Sequence, residues 1–195
     1  MTYEFDIFVS YRRTESISRW VKNYLVPLLQ ERLNQIAPKD IHIFCDYKMA
    51  DGVNFPAELE RQIKASSLLL GIWSANYFRS KWCMAEWESF RERQKQLGLF
   101  TDDHTQGLIY PVRYSDGDYF HPEAKIVQCQ KDFSQLSYFN EGFRRSQKYE
   151  EFDDLVKKMA EDLVALLNDV PAWRADFPIA ELPVLEPATM QRPVI

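Results

Sequence analysis

A chain of 195 residues, 46% apolar and 27% charged, has the composition of an ordinary globular domain with room for an appendage. Its net charge of −5 argues against a general nucleic-acid binder, which needs a basic footprint. The Arg12–Arg13 pair is nevertheless a local basic spot able to meet a phosphate.

Phe5–Val9 opens the chain as a short apolar strand. Ile17, Trp20, Val21, Tyr24, Leu25, Leu28, Leu29, Leu33 and Ile36 then recur at helical spacing. Pro27 interrupts that pattern, predicting a kink or two abutting helices, and Pro38 closes it. Ile41–Cys45 reads as a second strand, followed by a polar loop from Asp46 to Phe55 with a turn at Asp51–Gly52. Pro56 suits the first turn of a short helix running to Lys64. Ser66–Trp73 is a near-continuous apolar run, the pattern of a strand covered on both faces.

Ser80 is placed to N-cap a helix over Lys81–Leu97, which Gly98 would stop. Leu108–Val112 reads as a fourth strand, which Pro111 demotes to an irregular or edge position. Ile126–Cys129 is a weak fifth strand. Tyr149–Asn168 forms a final amphipathic helix with Phe152, Leu155, Val156, Met159, Leu163, Val164 and Leu167 on one stripe. Residues 1–170 thus read as one domain. The tail, 171–195, carries Pro171, Pro178, Pro183, Pro187 and Pro193 and reads either as a linker to another domain or as a strap on the surface.

Cys45, Cys83 and Cys129 are odd in number and contain no CxxC pair, so neither a disulfide framework nor a zinc site is suggested. His42, His104 and His121 are scattered, and no metal is expected. The N-terminus lacks the basic and apolar regions of a signal peptide, and no apolar run approaches the ~20 residues that span a bilayer. A reduced, cytoplasmic setting is expected, with neither membrane nor nucleic acid as a partner.

Alternating strands and helices imply parallel strands joined by right-handed crossovers. The expected fold is α/β: a three-layer, flavodoxin-like domain with a mostly parallel five-stranded sheet. Its functional cleft lies outside the carboxyl ends of the strands. Ser10-Tyr11-Arg12-Arg13, Asp46 and Ser74-Ala75-Asn76 follow the first three strands and should converge there.

Three segments resemble the Toll/interleukin-1 receptor (TIR) family, in its bacterial NAD-consuming type. Phe5-Asp6-Ile7-Phe8-Val9-Ser10-Tyr11-Arg12-Arg13 looks like the family's box 1. Phe44-Cys45-Asp46 through Asp51-Gly52 to Phe55 is similar to its second strand and following loop. Ser80-Lys81-Trp82-Cys83-Met84-Ala85-Glu86 looks like the motif that sets a tryptophan and a catalytic glutamate four apart. On a helix, Trp82 and Glu86 lie one above the other at the edge of the stripe formed by Cys83, Trp87, Phe90 and Leu97, neither buried nor fully exposed.

The resemblance implies an NAD glycohydrolase or cyclase with NAD as substrate and no cofactor, releasing nicotinamide and ADP-ribose or a cyclic isomer. Glu86 is the implied catalytic carboxylate; without the resemblance it would read as a surface helix glutamate. Trp82 either packs against the ligand or fills the core. Arg12 and Arg13 either pair with the pyrophosphate or are solvated. Ser10 and Phe8 are expected to line the pocket, with Ser74 beside them and Tyr11 a ring at the strand end. Phe55 either meets the ligand or anchors its loop. The scattered glycines form no phosphate-binding fingerprint, so binding would use side chains and strand ends.

The resemblance further implies activity in self-associated assemblies, with the 46–55 loop packing on a neighbouring domain, and a role in bacterial antiviral defence or signalling beside another domain or effector protein. A non-catalytic scaffold working through TIR–TIR contacts is the alternative. A nucleoside-processing enzyme such as a deoxyribosyltransferase is a third reading.

Overall fold

The first strand, β1 (Phe5–Tyr11), is the second of five parallel strands in the order β2-β1-β3-β4-β5. The computed structural model describes residues 2–45, 54–115, 117, 118, 120–125, 127, 129 and 131–183. The other strands are β2 (Ile43–Cys45), β3 (Ser66–Trp73), β4 (Ile109–Arg113) and β5 (Lys131–Asp132). All eight residues of β3 are buried, as a strand covered on both faces requires. This is the doubly wound, flavodoxin-like arrangement, and the strand order reverses between β1 and β3.

Side chains alternate along the strands, so Phe8, Ser10, Leu69, Gly71 and Trp73 share one face. Helices α3 (Phe55–Ala65) and α5 (Lys81–Leu97) cover it: Phe8 packs 6.4 Å from Phe90, and Trp73 packs edge-on against Trp87 at 6.2 Å. The opposite face carries α1 (Glu15–Trp20), α2 (Val26–Ile36) and α6 (Gln147–Asn168). There Trp20 meets Phe133 and Phe152 edge-on at 5.5 and 5.9 Å. A short α4 (Ala75–Phe78), which the sequence pattern does not reveal, follows β3.

The interruption expected at Pro27 takes a specific form. A π-helical segment, Val21–Leu25, joins α1 to α2, and Pro27 sits in the first turn of α2. Proline cannot donate to the carbonyl four residues back, that of Asn23. The Arg144 guanidinium donates to that carbonyl instead, at 2.9 Å.

Two strand expectations are corrected. Pro111 lies within β4, which is paired on both sides rather than at an edge. Tyr114 N–H donates to Trp73 on the β3 side, whereas the Arg113 carbonyl accepts from Phe133 on the β5 side. By alternation the Pro111 nitrogen also faces β5, whose described pairs with β4 start one residue later, at Val112. The proline therefore stands where, among the described residues, no ladder bond is required. The fifth strand is Lys131–Asp132, not Ile126–Cys129; Ile126 and Gln128 lie outside the described residues, and Val127 and Cys129 belong to no strand. A polar two-residue strand has no hydrophobic alternation to announce it.

Of the tail, residues 171–183 lie against the domain as a strap. Trp173 Nε1 donates to the Lys64 carbonyl at 3.1 Å, and Ala180 N–H donates to Ser89 Oγ at 3.0 Å. Phe177 is only 2% exposed and stacks on Tyr3 with ring centroids 6.3 Å apart. Its ring and that of Phe90 each lie 4.4 Å from the guanidinium carbon of buried Arg93. That guanidinium donates to the carbonyls of Ser66 and Ile63 at 2.6 and 2.8 Å, and its burial lowers the pKa to about 10. Pro187 and Pro193 lie outside the described residues. No helix among the described residues is long and apolar enough to cross a membrane.

Candidate functional site

The carboxyl end of β1 brings Ser10 toward α5 because Ser10 shares the face of Phe8 and pairs in register with Gly71 of β3. Gly71 keeps this end of the sheet thin. A Cβ there would lie 2.6 Å from Trp73 Nε1, so the indole fits over this position only in the absence of a side chain. From the other side α5 is N-capped by Ser80, whose hydroxyl accepts from Cys83 N–H at 3.3 Å, and C-capped by Gly98 in the left-handed conformation (φ 66°). The caps set the register of the helix, and with it the placement of Glu86 one turn after Trp82.

Ser10 Oγ donates to Glu86 Oε2, and Ser10 Oγ is also 2.9 Å from the Tyr77 hydroxyl. Glu86 is 7% exposed and Ser10 1%. This corrects the expectation of a half-exposed glutamate: helix geometry places it at the rim of the stripe, but Ser10 and Tyr77 close over it from other elements. Burial pushes the Tyr77 phenol well above its ordinary range; the neighbouring Cys83 and Glu86 add to that, and the Ser10 contact opposes it. Tyr77 thus keeps its phenolic proton.

An outer layer stands in front of this buried group. Trp82 is half-buried and meets Phe55, the first residue of α3, edge-on at 5.1 Å. The Arg13 guanidinium carbon lies 5.2 Å from the Phe55 ring centroid. Arg12 is exposed, and its Nη1 donates to Ser80 Oγ at 3.4 Å. Two arginines and two aromatic rings thus share one rim with Ser80, and Trp82 of that rim is one turn from Glu86.

The remaining expected residues lie elsewhere. Phe8 is fully buried with its ring 5.1 Å from that of Phe44, a core position. Tyr11, buried inside β1, is on the face opposite Ser10 by alternation. Ser74 N-caps α4 and accepts from Tyr77 N–H at 3.2 Å, so it touches the site through Tyr77. Asp46 and the Asp51–Gly52 turn lie outside the described residues. Box-1 Asp6 has a structural part: it accepts from His42 N–H and Lys39 Nζ, both at 2.8 Å, and so ties β1 to the entry of β2. Sequence reasoning missed Tyr77. The available signal was Ser74 three residues earlier, an N-cap pattern that turns Tyr77 inward.

A cavity of about 670 Å³ lies away from this group, between α5, β4 and α6, lined by Trp87, Arg91, Tyr110 and Asp162 among others. Glu86 does not line it. The end of β1 and β3 is the better candidate, because the strand order reverses there and charged and aromatic groups converge.

A flavodoxin-like sheet with a buried serine–glutamate pair at its switch point, beside a tryptophan one helical turn away, defines an α/β domain with a polar site at its strand ends. The chain matches the TIR domain family over residues 7–156 and belongs to it. No curated protein matches the chain. Among solved structures, the TIR domains in the structure of the activated Roq1 resistosome directly recognizing the pathogen effector XopQ are similar, at 21% identity and a TM-score of 0.42 over 81% of this chain and 84% of that one.

Proposed function

We propose that this TIR domain cleaves the bond between nicotinamide and ribose in NAD, with Glu86 as the catalytic carboxylate. The observation that supports the reading is the placement of Glu86: an acid on α5, bonded to Ser10 at the end of β1, behind a rim of Trp82, Phe55, Arg12 and Arg13.

The chemistry asks for little more. The bond to be broken joins an anomeric carbon to a cationic pyridinium nitrogen. Its electron pair goes to nicotinamide, which leaves neutral, so no general acid is needed; ordinary glycosidases use a second carboxyl group for that purpose. Positive charge develops on the ribose, and a carboxylate beside it stabilises that charge and holds the hydroxyls. Water then adds at the anomeric carbon to give ADP-ribose and a proton, or a nucleophile within the molecule closes a ring. Arg12 and Arg13 take the pyrophosphate, where guanidinium groups bond bidentately, and Trp82 and Phe55 pack on the nicotinamide ribose end. Ser74 acts through Tyr77. NAD is the substrate here, and no further cofactor enters the scheme.

In a single chain Glu86 is nearly closed off. The proposed reaction therefore needs the rim to open or to be completed by a second copy, which fits activity in self-associated assemblies; we place that activity in the cytoplasm, as part of bacterial defence signalling. The same closure favours the second reading, a scaffold that works through TIR–TIR contacts without turnover. Incubation of the pure protein with NAD over a wide concentration range, with chromatography of the products, separates them. Nicotinamide release that climbs faster than protein concentration and disappears in Glu86→Ala supports the enzyme. No release even when the protein is tethered in arrays supports the scaffold.

A further inference from the structure

Glu86 is held from inside the molecule by two hydroxyl groups in series. A carboxylate only accepts, so the one hydroxyl hydrogen of Ser10 is committed to Glu86 Oε2. The 2.9 Å contact between Ser10 Oγ and Tyr77 must then run the other way, from the phenol to the serine oxygen. Tyr77 is itself fixed. It is fully buried, its ring meets Phe78 edge-on at 5.2 Å, and its backbone N–H is tied to the Ser74 cap. Hydrogen bonds in such a chain polarise one another, so the phenol strengthens the bond that Ser10 makes to the carboxylate.

We propose that Tyr77 is a positioning residue: acting through Ser10, it fixes the direction in which the Glu86 carboxylate faces at the end of β1. The proposal rests on reading Glu86 as the catalytic carboxylate. A glutamate has rotatable bonds that its own helix does not restrain, and small misalignment of a reacting group is costly in rate. The short helix α4 has a purpose in this scheme, since it delivers one hydroxyl to the inner side of the site.

The test uses the full chain with Tyr77→Phe, Ser10→Ala and the double variant. Tyr77→Phe removes one oxygen and keeps the ring in the core. The expected result is a fall in kcat for NAD of about tenfold, the size of one lost buried hydrogen bond, with KM changed less than about twofold. The double variant should be no slower than Ser10→Ala alone, because Ser10 carries the hydrogen-bonded link between Tyr77 and Glu86. Independent, multiplying losses would overturn the proposal.

A second readout does not depend on turnover. The carboxyl carbon resonance of Glu86, assigned by its disappearance in Glu86→Ala, should move in Tyr77→Phe but not move further when that change is added to Ser10→Ala. An unmoved resonance in folded Tyr77→Phe sinks the proposal. If Tyr77→Phe does not fold, Glu86→Gln decides instead: the hydroxyl proton of intact Tyr77 should shift when the charge is removed, and its staying in place refutes the coupling. Absence of NAD turnover in the unaltered protein would defeat the proposed reaction, while these resonances still report whether Tyr77 aims Glu86.

Discussion

Ser10 on β1 and Glu86 on α5 stand 76 positions apart in the chain and share a hydrogen bond at the buried end of the sheet. Glu86→Gln keeps the side chain's size and its acceptor toward Ser10 while removing the charge. Nicotinamide release should fall by about 10²–10³-fold, the usual effect of deleting a well-placed stabiliser of transition-state charge. Release within threefold of the unaltered protein would take Glu86 out of the chemistry.

Arg12 and Arg13 are predicted to act on binding more than on the chemical step. Arg12→Ala or Arg13→Ala should raise KM about tenfold or more, as the loss of a charged hydrogen bond to phosphate would, with kcat nearly kept. The Arg13 guanidinium also lies over the Phe55 ring. Arg13→Lys retains charge but loses the planar face, so it should recover only part of the loss. Full recovery by lysine would leave the planar contact with Phe55 without a function. Steady-state kinetics with NAD distinguishes these outcomes.

Gly71 is predicted to be intolerant of even one methyl group. A Cβ would stand 2.6 Å from Trp73 Nε1, and the indole is boxed in by Phe78, Trp87 and Phe120 at 5.3, 6.2 and 6.0 Å. Gly71→Ala should destabilise the domain by about 1–3 kcal/mol in urea unfolding, the range for overpacked cores. A midpoint equal to that of the unaltered protein would mean that the indole has room to yield.

The strap is predicted to contribute to stability. Phe177→Ala should cost about 3 kcal/mol, as for other fully buried phenylalanines, because it removes the ring between Tyr3 and the Arg93 guanidinium. Ending the chain after Val170 should cost at least as much. An unchanged unfolding midpoint in both variants would show that the strap rests on α5 without holding it.

Elements whose signals lie within a few neighbouring residues were legible beforehand. β3 shows itself as an unbroken apolar run, and α5 is bounded by Ser80 and Gly98, one a side-chain acceptor for free N–H groups and the other able to turn left-handed. The pairing of Trp82 with Glu86 one turn apart follows from helix pitch alone. Box 1, the Asp46–Phe55 segment and the Trp82–Glu86 spacing together indicated the TIR family, which the match over residues 7–156 establishes.

Only the tertiary structure decided what surrounds those elements. Pro111 is tolerated inside the sheet because its missing donor faces β5, whose described pairs with β4 begin at Val112. The tail has no periodicity, and it became a strap only where Lys64, Ser89 and Arg93 offered it partners from α3 and α5. Glu86 is buried because Ser10 and Tyr77 arrive from two other elements, and Tyr77 itself stood out in no motif. Local periodicity and capping act over one or two turns of chain and can be read from order alone. The orientation of a carboxylate depends on hydroxyl groups tens of residues away, which meet it only once the sheet has assembled.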